Sequence, residues 1–300
     1  MFNGSIVALV TPMTETGRVD LAGLRKMLDF QLEGGTNAVV VAGTTGESPA
    51  LDEDEFRSLL ETALDHLDGR IPVIAGTGSA STRRSIESTR LAESIGADAA
   101  LLVTPYYVRP PQAGLQAHFE SIAGATQLPL VLYNVPSRTG VDLLPETAAG
   151  LADGERFVAI KEALPDLDRI SRLHELCAGR MTILSGDDGS CRAAMARGAR
   201  GVISVAANVA PDHMSRMCAA MLEGDEERAA RVDSELRELF RLLSVESNPI
   251  PVKWAACRMG LIGPGIRLPL RPLDLAHRSA LDACLGKLGL LPAMTRSSVC

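Results

Sequence analysis

One lysine ends an apolar stretch of the 300-residue chain and is the first candidate for chemistry. Residues 157–160 (Phe-Val-Ala-Ile) run directly into Lys161 and Glu162, a pattern typical of a buried strand. Because burial disfavours the charged form of an amine, a lysine in such a place can attack a carbonyl carbon. The alternative is a lysine at a strand end with its ammonium group in water. Six residues alone favour that alternative.

Other chemically useful residues follow apolar stretches in the same way. All three tyrosines of the chain are among them, which random placement would not produce. The segments are Gly43-Thr44-Thr45-Gly46-Glu47, Thr104-Pro105-Tyr106-Tyr107, Tyr133-Asn134-Val135-Pro136-Ser137-Arg138-Thr139-Gly140 and Ser185-Gly186-Asp187-Asp188.

These residue types suit amine catalysis on a carbonyl compound. A neutral Lys161 would attack a ketone, and the resulting iminium would let the neighbouring carbon lose a proton and become an enamine. Tyrosine hydroxyls joined through a threonine can move the protons. Glycine-threonine turns offer donors to a carboxylate, and Arg138 could bind a second carboxylate in a bidentate pair.

Each segment also has a purely structural interpretation. The glycine-threonine segment could be only a tight turn, the paired tyrosines could be packing aromatics, and Arg138 could be a solvated loop residue. Asp187 and Asp188 are predicted to be helix N-cap residues in preference to acids or metal ligands. Lys253 lies outside the pattern and is predicted to be structural. The hypothesis of a catalytic site therefore depends on these segments converging in space.

The elements that would bring them together are eight short apolar stretches separated by amphipathic helices. Because the stretches are continuously apolar, they suit a parallel sheet covered on both faces. The predicted strands are 6–10, 38–42, 71–75, 100–103, 130–133, 157–160, 181–184 and 201–205. The predicted helices are 21–32, 52–67, 81–95, 118–123, 166–177, 187–197, 211–222, 226–243, 251–260 and 272–288.

This order predicts an α/β fold, a (β/α)8 TIM barrel whose catalytic residues lie at the carboxyl ends of its strands. The competing doubly wound sheet lacks a glycine-rich phosphate fingerprint after the first strand. We predict a catalytic barrel over residues 1–224 and a helical extension packed on it over residues 225–300. The polar tail 292–300 is expected to fray.

Composition excludes several classes of partner. A net charge of −7 without a basic cluster argues against a nucleic-acid surface. No apolar stretch is long enough for a membrane span, and the amino terminus does not resemble a signal peptide. The six cysteines are scattered and are predicted to be small buried residues in a reducing compartment, with no metal site. The sequence therefore predicts a cytoplasmic protein.

Three of these segments together resemble the dihydrodipicolinate synthase (4-hydroxy-tetrahydrodipicolinate synthase) family. They are Gly43-Thr44-Thr45-Gly46-Glu47, Tyr133-Asn134-Val135-Pro136-Ser137-Arg138-Thr139-Gly140 and Ile160-Lys161-Glu162-Ala163. The likeness runs from Gly4 to Leu290 and includes Asn248-Pro249-Ile250-Pro251-Val252-Lys253-Trp254. Pyruvate-dependent lyases in general share the glycine-threonine turn and the lysine, whereas the arginine of the Pro-Ser-Arg-Thr-Gly segment marks the synthase branch.

The resemblance implies a role for each matching residue. Lys161 would form a Schiff base with pyruvate, without a cofactor or metal. Tyr133, Thr44 and Tyr107 would form a proton relay, with Tyr107 reaching across a subunit interface. Thr45 would bind the pyruvate carboxylate, and Arg138 that of aspartate 4-semialdehyde. The backbones of Gly186 and Ile203 would line the pocket. The product would serve diaminopimelate and lysine synthesis, and the assembly would be a homotetramer built as a dimer of dimers.

One group of positions departs from the family. Members that are inhibited by lysine bind it at a dimer interface, and this chain keeps only Ser48 and Tyr106 of that set. Glu53 and Phe56 replace histidines, while Ala80 and Arg84 replace an asparagine and a glutamate. A cation at position 84 would repel a cationic ligand, which Glu53 would offset only in part. We therefore expect weak or no inhibition by lysine.

Two alternatives stay open at this stage. The chain could be another pyruvate-dependent aldolase, such as an N-acetylneuraminate lyase or a keto-deoxy-sugar aldolase, and Arg138 argues against that. It could also be a non-catalytic barrel that binds pyruvate as a sensor, against which stands the complete set of Lys161, Tyr133, Thr44 and Tyr107.

Overall fold

The computed structural model describes residues 2–291 and contains a closed barrel of eight parallel strands in sequential order. The predicted TIM barrel is thus confirmed. Its strands are β1 (Gly4–Ala8), β2 (Ala38–Val41), β3 (Val73–Gly76), β4 (Ala99–Val103), β5 (Leu130–Asn134), β6 (Phe157–Glu162), β7 (Thr182–Ser185) and β8 (Gly201–Ser204).

Helices cover the outside of the barrel and continue beyond it. They are α1 (Leu21–Glu33), α2 (Glu53–Leu67), α3 (Thr82–Ile95), α4 (Gln112–Ala123), α5 (Pro136–Thr139), α6 (Pro145–Leu151), α7 (Leu167–Cys177), α8 (Cys191–Ala196), α9 (Pro211–Glu223), α10 (Glu226–Leu242), α11 (Ile250–Arg258) and α12 (Leu275–Lys287). Short 3-10 helices follow β2 and β8, at Ser48–Ala50 and Ala206–Asn208.

The strands are buried on both faces, which explains their continuously apolar sequences. One apolar cluster fills the barrel interior and includes Ala159 on β6 and Leu184 on β7. A larger cluster lies between strands and helices and includes the neighbouring Ile160. Because side chains alternate along a strand, β6 directs Lys161 to the same side as Ala159, into the barrel.

The structure differs from several of the helix predictions. The helix predicted over 118–123 begins earlier, at Gln112. The four-residue α5 and the seven-residue α6 were not predicted, because they are too short to give a helical repeat of apolar residues. The helix predicted over 187–197 begins only at Cys191. The loop before it, residues 186–190, is held by its own aspartates, as described below.

The C-terminal helices pack onto the barrel. The α10 helix contacts α9 and α12, and its buried apolar side chains belong to the same core as those between the barrel strands and helices. The division into residues 1–224 and 225–300 remains a proposal, which this shared core supports as an extension and not as an independent unit. The tail 292–300 lies outside the described residues.

A buried ion pair joins the extension to the glycine-threonine segment after β2. Lys253 on α11 donates from its ammonium group to the Glu47 carboxylate, and both side chains are almost fully buried. Glu47 has a φ of +57°, unusual for a residue with a side chain, and its carboxylate also accepts the Arg267 backbone N–H at 3.1 Å. Burial lowers the pKa of Lys253, and the attraction of Glu47 opposes the shift.

Two other expectations concern the membrane and the cysteines. Among the described residues, no helix is long and apolar enough to cross a membrane. Cys177, Cys191, Cys218 and Cys284 are free and buried, as predicted. Cys257 is also buried.

Candidate active site

Lys161 lies inside the carboxyl end of the barrel and is only 5% exposed. Its Nζ atom is 4.4 Å from the ring centroid of Tyr133, which is its partner in the register of β5 and β6. Both residues line a cavity of about 580 Å³ between the strand ends and α10. The structure therefore brings the candidate nucleophile and one candidate proton carrier into contact.

Gly186 makes room for the lysine side chain. A methyl group on its Cα would lie 2.9 Å from Lys161 Cε and 2.8 Å from Ala163 Cβ, closer than carbon atoms can approach. Its backbone N–H donates to the Glu162 carbonyl oxygen at 2.7 Å, so the loop after β7 continues the pairing of the strands. Only glycine fits between this loop and the end of β6.

The next residue on β6, Glu162, points the opposite way, toward the helices. Its carboxylate accepts from Arg169 Nε at 2.7 Å and from Asn134 Nδ2 at 3.0 Å. Arg169 also forms a bidentate pair with Asp142, at 2.8 and 3.0 Å. Burial raises the pKa of Glu162, and the charge of Arg169 opposes that shift. This network fixes the outer side of the strand that carries Lys161.

The two aspartates after β7 accept hydrogen bonds from backbone N–H groups, but not as caps of the predicted helix. Asp187 accepts from the Ser190 N–H at 2.9 Å and closes its own loop. Asp188 accepts from the N–H groups of Val205 and Ala206, at 3.0 and 2.8 Å, and so caps the 3-10 helix after β8. Burial raises the pKa of the Asp188 carboxyl.

Thr45 and Arg138 enter the same cavity from different strand ends. The Thr45 hydroxyl accepts a hydrogen bond from Asn248 Nδ2 at 3.0 Å. Arg138, on α5, donates from Nη2 to the Asn248 backbone carbonyl oxygen at 3.4 Å and is exposed to solvent. The cavity thus offers a hydroxyl and a guanidinium group together with an amine, a combination that suits small carboxylates.

Thr44 lies in a neighbouring cavity of about 680 Å³ that shares Val135 and Arg138 with the first. Five of the six residues predicted for a lysine effector site line it as well, namely Ser48, Glu53, Phe56, Arg84 and Tyr106. The sixth, Ala80, is half-buried beside Ser79, which lines this cavity. The structure therefore brings that set together, next to the cavity of Lys161.

Two predicted site residues lie elsewhere. Tyr107 is 91% exposed and lines neither cavity, although its backbone is held at a φ of +72° by a 3.1 Å hydrogen bond to the Thr139 carbonyl oxygen. Ile203 is fully buried in the barrel interior, and Val205 lines the cavity beyond it. Within one described chain, the predicted relay of three hydroxyls is thus not assembled.

Sequence reasoning missed the contribution of the C-terminal extension. Asn248 and several side chains of α10 line the Lys161 cavity, among them Asp233, Arg237, Phe240 and Arg241. The α10 residues are distant in sequence from the strand ends and follow no strand, so no local pattern marked them. Asn248 belongs to a segment included in the family likeness, but that likeness gave it no role. Among the described residues, no group of histidine, cysteine or acidic side chains is arranged to hold a metal ion.

Comparison with known proteins gives the same result along the whole chain. The model of the dihydrodipicolinate synthetase family matches residues 1–288. A 4-hydroxy-tetrahydrodipicolinate synthase from Alkalilimnicola ehrlichii is 50% identical over 291 residues, which cover 97% of this chain and 100% of the relative.

Solved structures agree closely as well. The chloride-inhibited dihydrodipicolinate synthase of Acinetobacter baumannii, solved with pyruvate, has a TM-score of 0.96 and 47% identity, covering 97% of this chain and 100% of the other. A monomeric dihydrodipicolinate synthase variant has a TM-score of 0.95 and 44% identity, with coverages of 97% and 98%. Sequence, fold and the residues around Lys161 lead to one conclusion: this chain belongs to the dihydrodipicolinate synthetase family.

Proposed function

We propose that this chain is a 4-hydroxy-tetrahydrodipicolinate synthase, a lyase that condenses pyruvate with aspartate 4-semialdehyde through a Schiff base on Lys161. The observation that carries the proposal is the buried Lys161 amine, 4.4 Å from the Tyr133 ring, in a cavity that Thr45 and Arg138 also line. Family membership and relatives of the same name over the full chain support it.

The first half-reaction would consume pyruvate. The Lys161 amine attacks the ketone carbon, the carbonyl oxygen leaves as water, and an iminium forms. The methyl carbon then loses a proton, and its electron pair moves into an enamine. The iminium nitrogen supplies the electron sink, so the proposed reaction needs no metal or organic cofactor. Thr45 would bind the pyruvate carboxylate at this stage.

The second half-reaction would join the two substrates. The enamine carbon attacks the aldehyde carbon of the semialdehyde, and the aldehyde oxygen takes a proton to become a hydroxyl. The amino group of the semialdehyde then replaces the Lys161 nitrogen at the iminium carbon, which closes the ring and frees the enzyme. Tyr133 and Thr44 would carry these protons, and the exposed Tyr107 would serve the site of a neighbouring subunit.

The proposed assembly is a homotetramer built as a dimer of dimers. The position of Tyr107 supports this assembly. Its backbone is hydrogen-bonded while its aromatic side chain is exposed, and an exposed aromatic side chain of this kind is suited to a subunit interface. Because one similar structure is of a monomeric variant, the oligomeric state should be measured directly, by sedimentation velocity. The cytoplasmic location stays a prediction, as do the roles in diaminopimelate and lysine synthesis.

Replacing Arg138 by alanine tests the choice of substrate. We expect kcat/KM for the semialdehyde to fall by about 10²- to 10³-fold, because a bidentate charged contact to the substrate carboxylate is lost. Formation of the pyruvate Schiff base should change by less than about threefold. A coupled assay of the full reaction and borohydride trapping with pyruvate measure the two effects.

The matched control for that variant is Arg231→Ala, an exposed arginine of α10 outside the cavity, which should behave as the wild type. If Arg138→Ala left semialdehyde turnover intact while the enzyme cleaved a sugar acid, the chain would be an aldolase of that other kind. A wild type that forms no adduct with pyruvate would favour the pyruvate sensor.

The proposal also covers regulation by lysine. Lysine at about 10 mM should lower the rate by less than twofold, because the Arg84 guanidinium lines the cavity where the ligand's ammonium groups would lie. Arg84→Glu should increase the inhibition, since a carboxylate would replace the repelling charge. Initial rates with and without lysine measure both. Substantial inhibition of the wild type by millimolar lysine would contradict the expectation.

A further inference from the structure

Asn248 connects two groups that face the Lys161 cavity. It lies between α10 and α11, lines the cavity itself, and belongs to the C-terminal extension. Its side-chain amide donates to the Thr45 hydroxyl at 3.0 Å, and its backbone carbonyl oxygen accepts from Arg138 at 3.4 Å. None of the roles described above requires this residue, so its position between Thr45 and Arg138 asks for an explanation.

The direction of the hydrogen bond to Thr45 has a chemical consequence. A threonine hydroxyl has one hydrogen to donate and two lone pairs that accept. When the Asn248 amide donates to one lone pair, the hydrogen of Thr45 stays free for another acceptor. The described residues provide no second hydrogen bond for this hydroxyl. Thr45 is only 2% exposed, and it lines the cavity.

The other side of the same amide points to a role beyond folding. Asn248 Oδ1 is buried and has no hydrogen-bond partner among the described residues. A buried acceptor left unpaired destabilises the folded chain, so an unpaired oxygen at this position, beside the cavity, calls for an explanation. An apolar residue of similar size would avoid this cost but could not orient Thr45.

We propose that Asn248 is a positioning residue for pyruvate. By donating to Thr45 it keeps the hydroxyl hydrogen directed at the substrate carboxylate, and so the C-terminal extension takes part in binding the first substrate. This inference rests on the proposed function, in which Thr45 binds that carboxylate. The role of Asn248 is exerted through Thr45 and not by contact with the reacting atoms.

The test is a pair of substitutions at one position. In Asn248→Asp the new carboxylate would accept the Thr45 hydrogen and add a negative charge beside the bound carboxylate. The pyruvate concentration that half-saturates the borohydride-trapped adduct should then rise by about 30- to 100-fold. In Asn248→Ala the hydroxyl keeps its hydrogen but loses its orientation, so a rise of about three- to tenfold is expected. Ser247→Ala, the exposed neighbour, is the matched control and should leave the value unchanged.

A change of mechanism can be separated from a loss of structure. Because Arg138 is held by the backbone carbonyl of Asn248, both variants should keep kcat/KM for the semialdehyde within about threefold at saturating pyruvate. In a Thr45→Val background there is no hydroxyl whose hydrogen-bond direction could be reversed. Adding Asn248→Asp to that background should therefore raise the half-saturating pyruvate concentration much less. An undiminished effect there would mean that charge alone is responsible and would overturn the proposal.

Other outcomes are equally decisive. If Asn248→Asp behaves as the wild type, the amide has the reverse orientation, the hydroxyl already donates to Asn248, and the inference is wrong. Equal rises in both variants would also overturn it. The measurement needs only the first half-reaction. An enzyme that traps pyruvate but never turns over the semialdehyde would overturn the proposed function alone, whereas a wild type that traps no pyruvate would overturn both.

Discussion

Replacing Lys161 by arginine should lower turnover by at least about 10⁴-fold, since loss of a covalent nucleophile has effects of this order or larger. The guanidinium keeps the positive charge and much of the length of the side chain, but it stays protonated and cannot form a Schiff base. The adduct with pyruvate and borohydride, observed by intact mass, should disappear from the variant.

The control is Lys287→Arg, at the exposed end of α12 and not part of the cavity lining, which should retain both activity and adduct. Peptide mapping of the trapped wild type should place the added three-carbon group on Lys161. An adduct on any of the other three lysines, or an active Lys161→Arg variant, would remove the basis of the mechanism.

The second large effect is expected on stability. Replacing Lys253 by methionine should lower the free energy of unfolding by about 3–5 kcal/mol, because Glu47 would be left buried without its counter-charge. Within residues 2–291, its carboxylate would keep only the hydrogen bond from the Arg267 backbone N–H. Urea unfolding at neutral pH, followed by far-UV circular dichroism, measures the change.

Removing both charges provides the internal control. The double variant with Glu47→Gln and Lys253→Met should recover most of the lost stability, because no buried charge remains. A single Lys253→Met variant as stable as the wild type would contradict the assignment of this pair as a structural link between barrel and extension.

Most of the fold could be predicted because its information is local. Each barrel strand is a short, continuously apolar stretch, and the strand ends differ from the predictions by no more than two residues. Helices that were predicted to stop at a glycine end there in the structure, as α3 does at Gly96. The α5 and α6 helices were not predicted, because they are too short to establish a periodic pattern of apolar residues.

The start of α8 was misjudged for a different reason. Aspartates before a helical stretch are ordinary N-cap candidates, but Asp188 bonds instead to N–H groups 17 and 18 residues further along the chain. A contact of that kind depends on β7 and β8 being neighbours in the closed barrel, so no local rule could have supplied it.

The candidate site also contains residues that the sequence predicts and residues whose role appears only in the folded structure. The barrel brings five predicted residues at or just after strand ends to one cavity, namely Lys161, Tyr133, Thr45, Arg138 and Gly186. Thr44 lies in the adjoining cavity, and Tyr107 reaches neither, so its predicted role depends on a second subunit. Asn248 was visible in the sequence as part of a recognisable segment, yet only its contact with Thr45 suggests what it does.

The opposite environments of Lys161 and Glu162 also disfavour any shift in the pairing register of β6. A slip of one residue would move every side chain of the strand to its other face. The carboxylate would then enter the apolar barrel without Arg169, and the amine would leave the cavity for the helix layer. Adjacent residues of opposite charge thus make an out-of-register barrel unstable, so misfolded chains with a misplaced nucleophile should not accumulate alongside the active form.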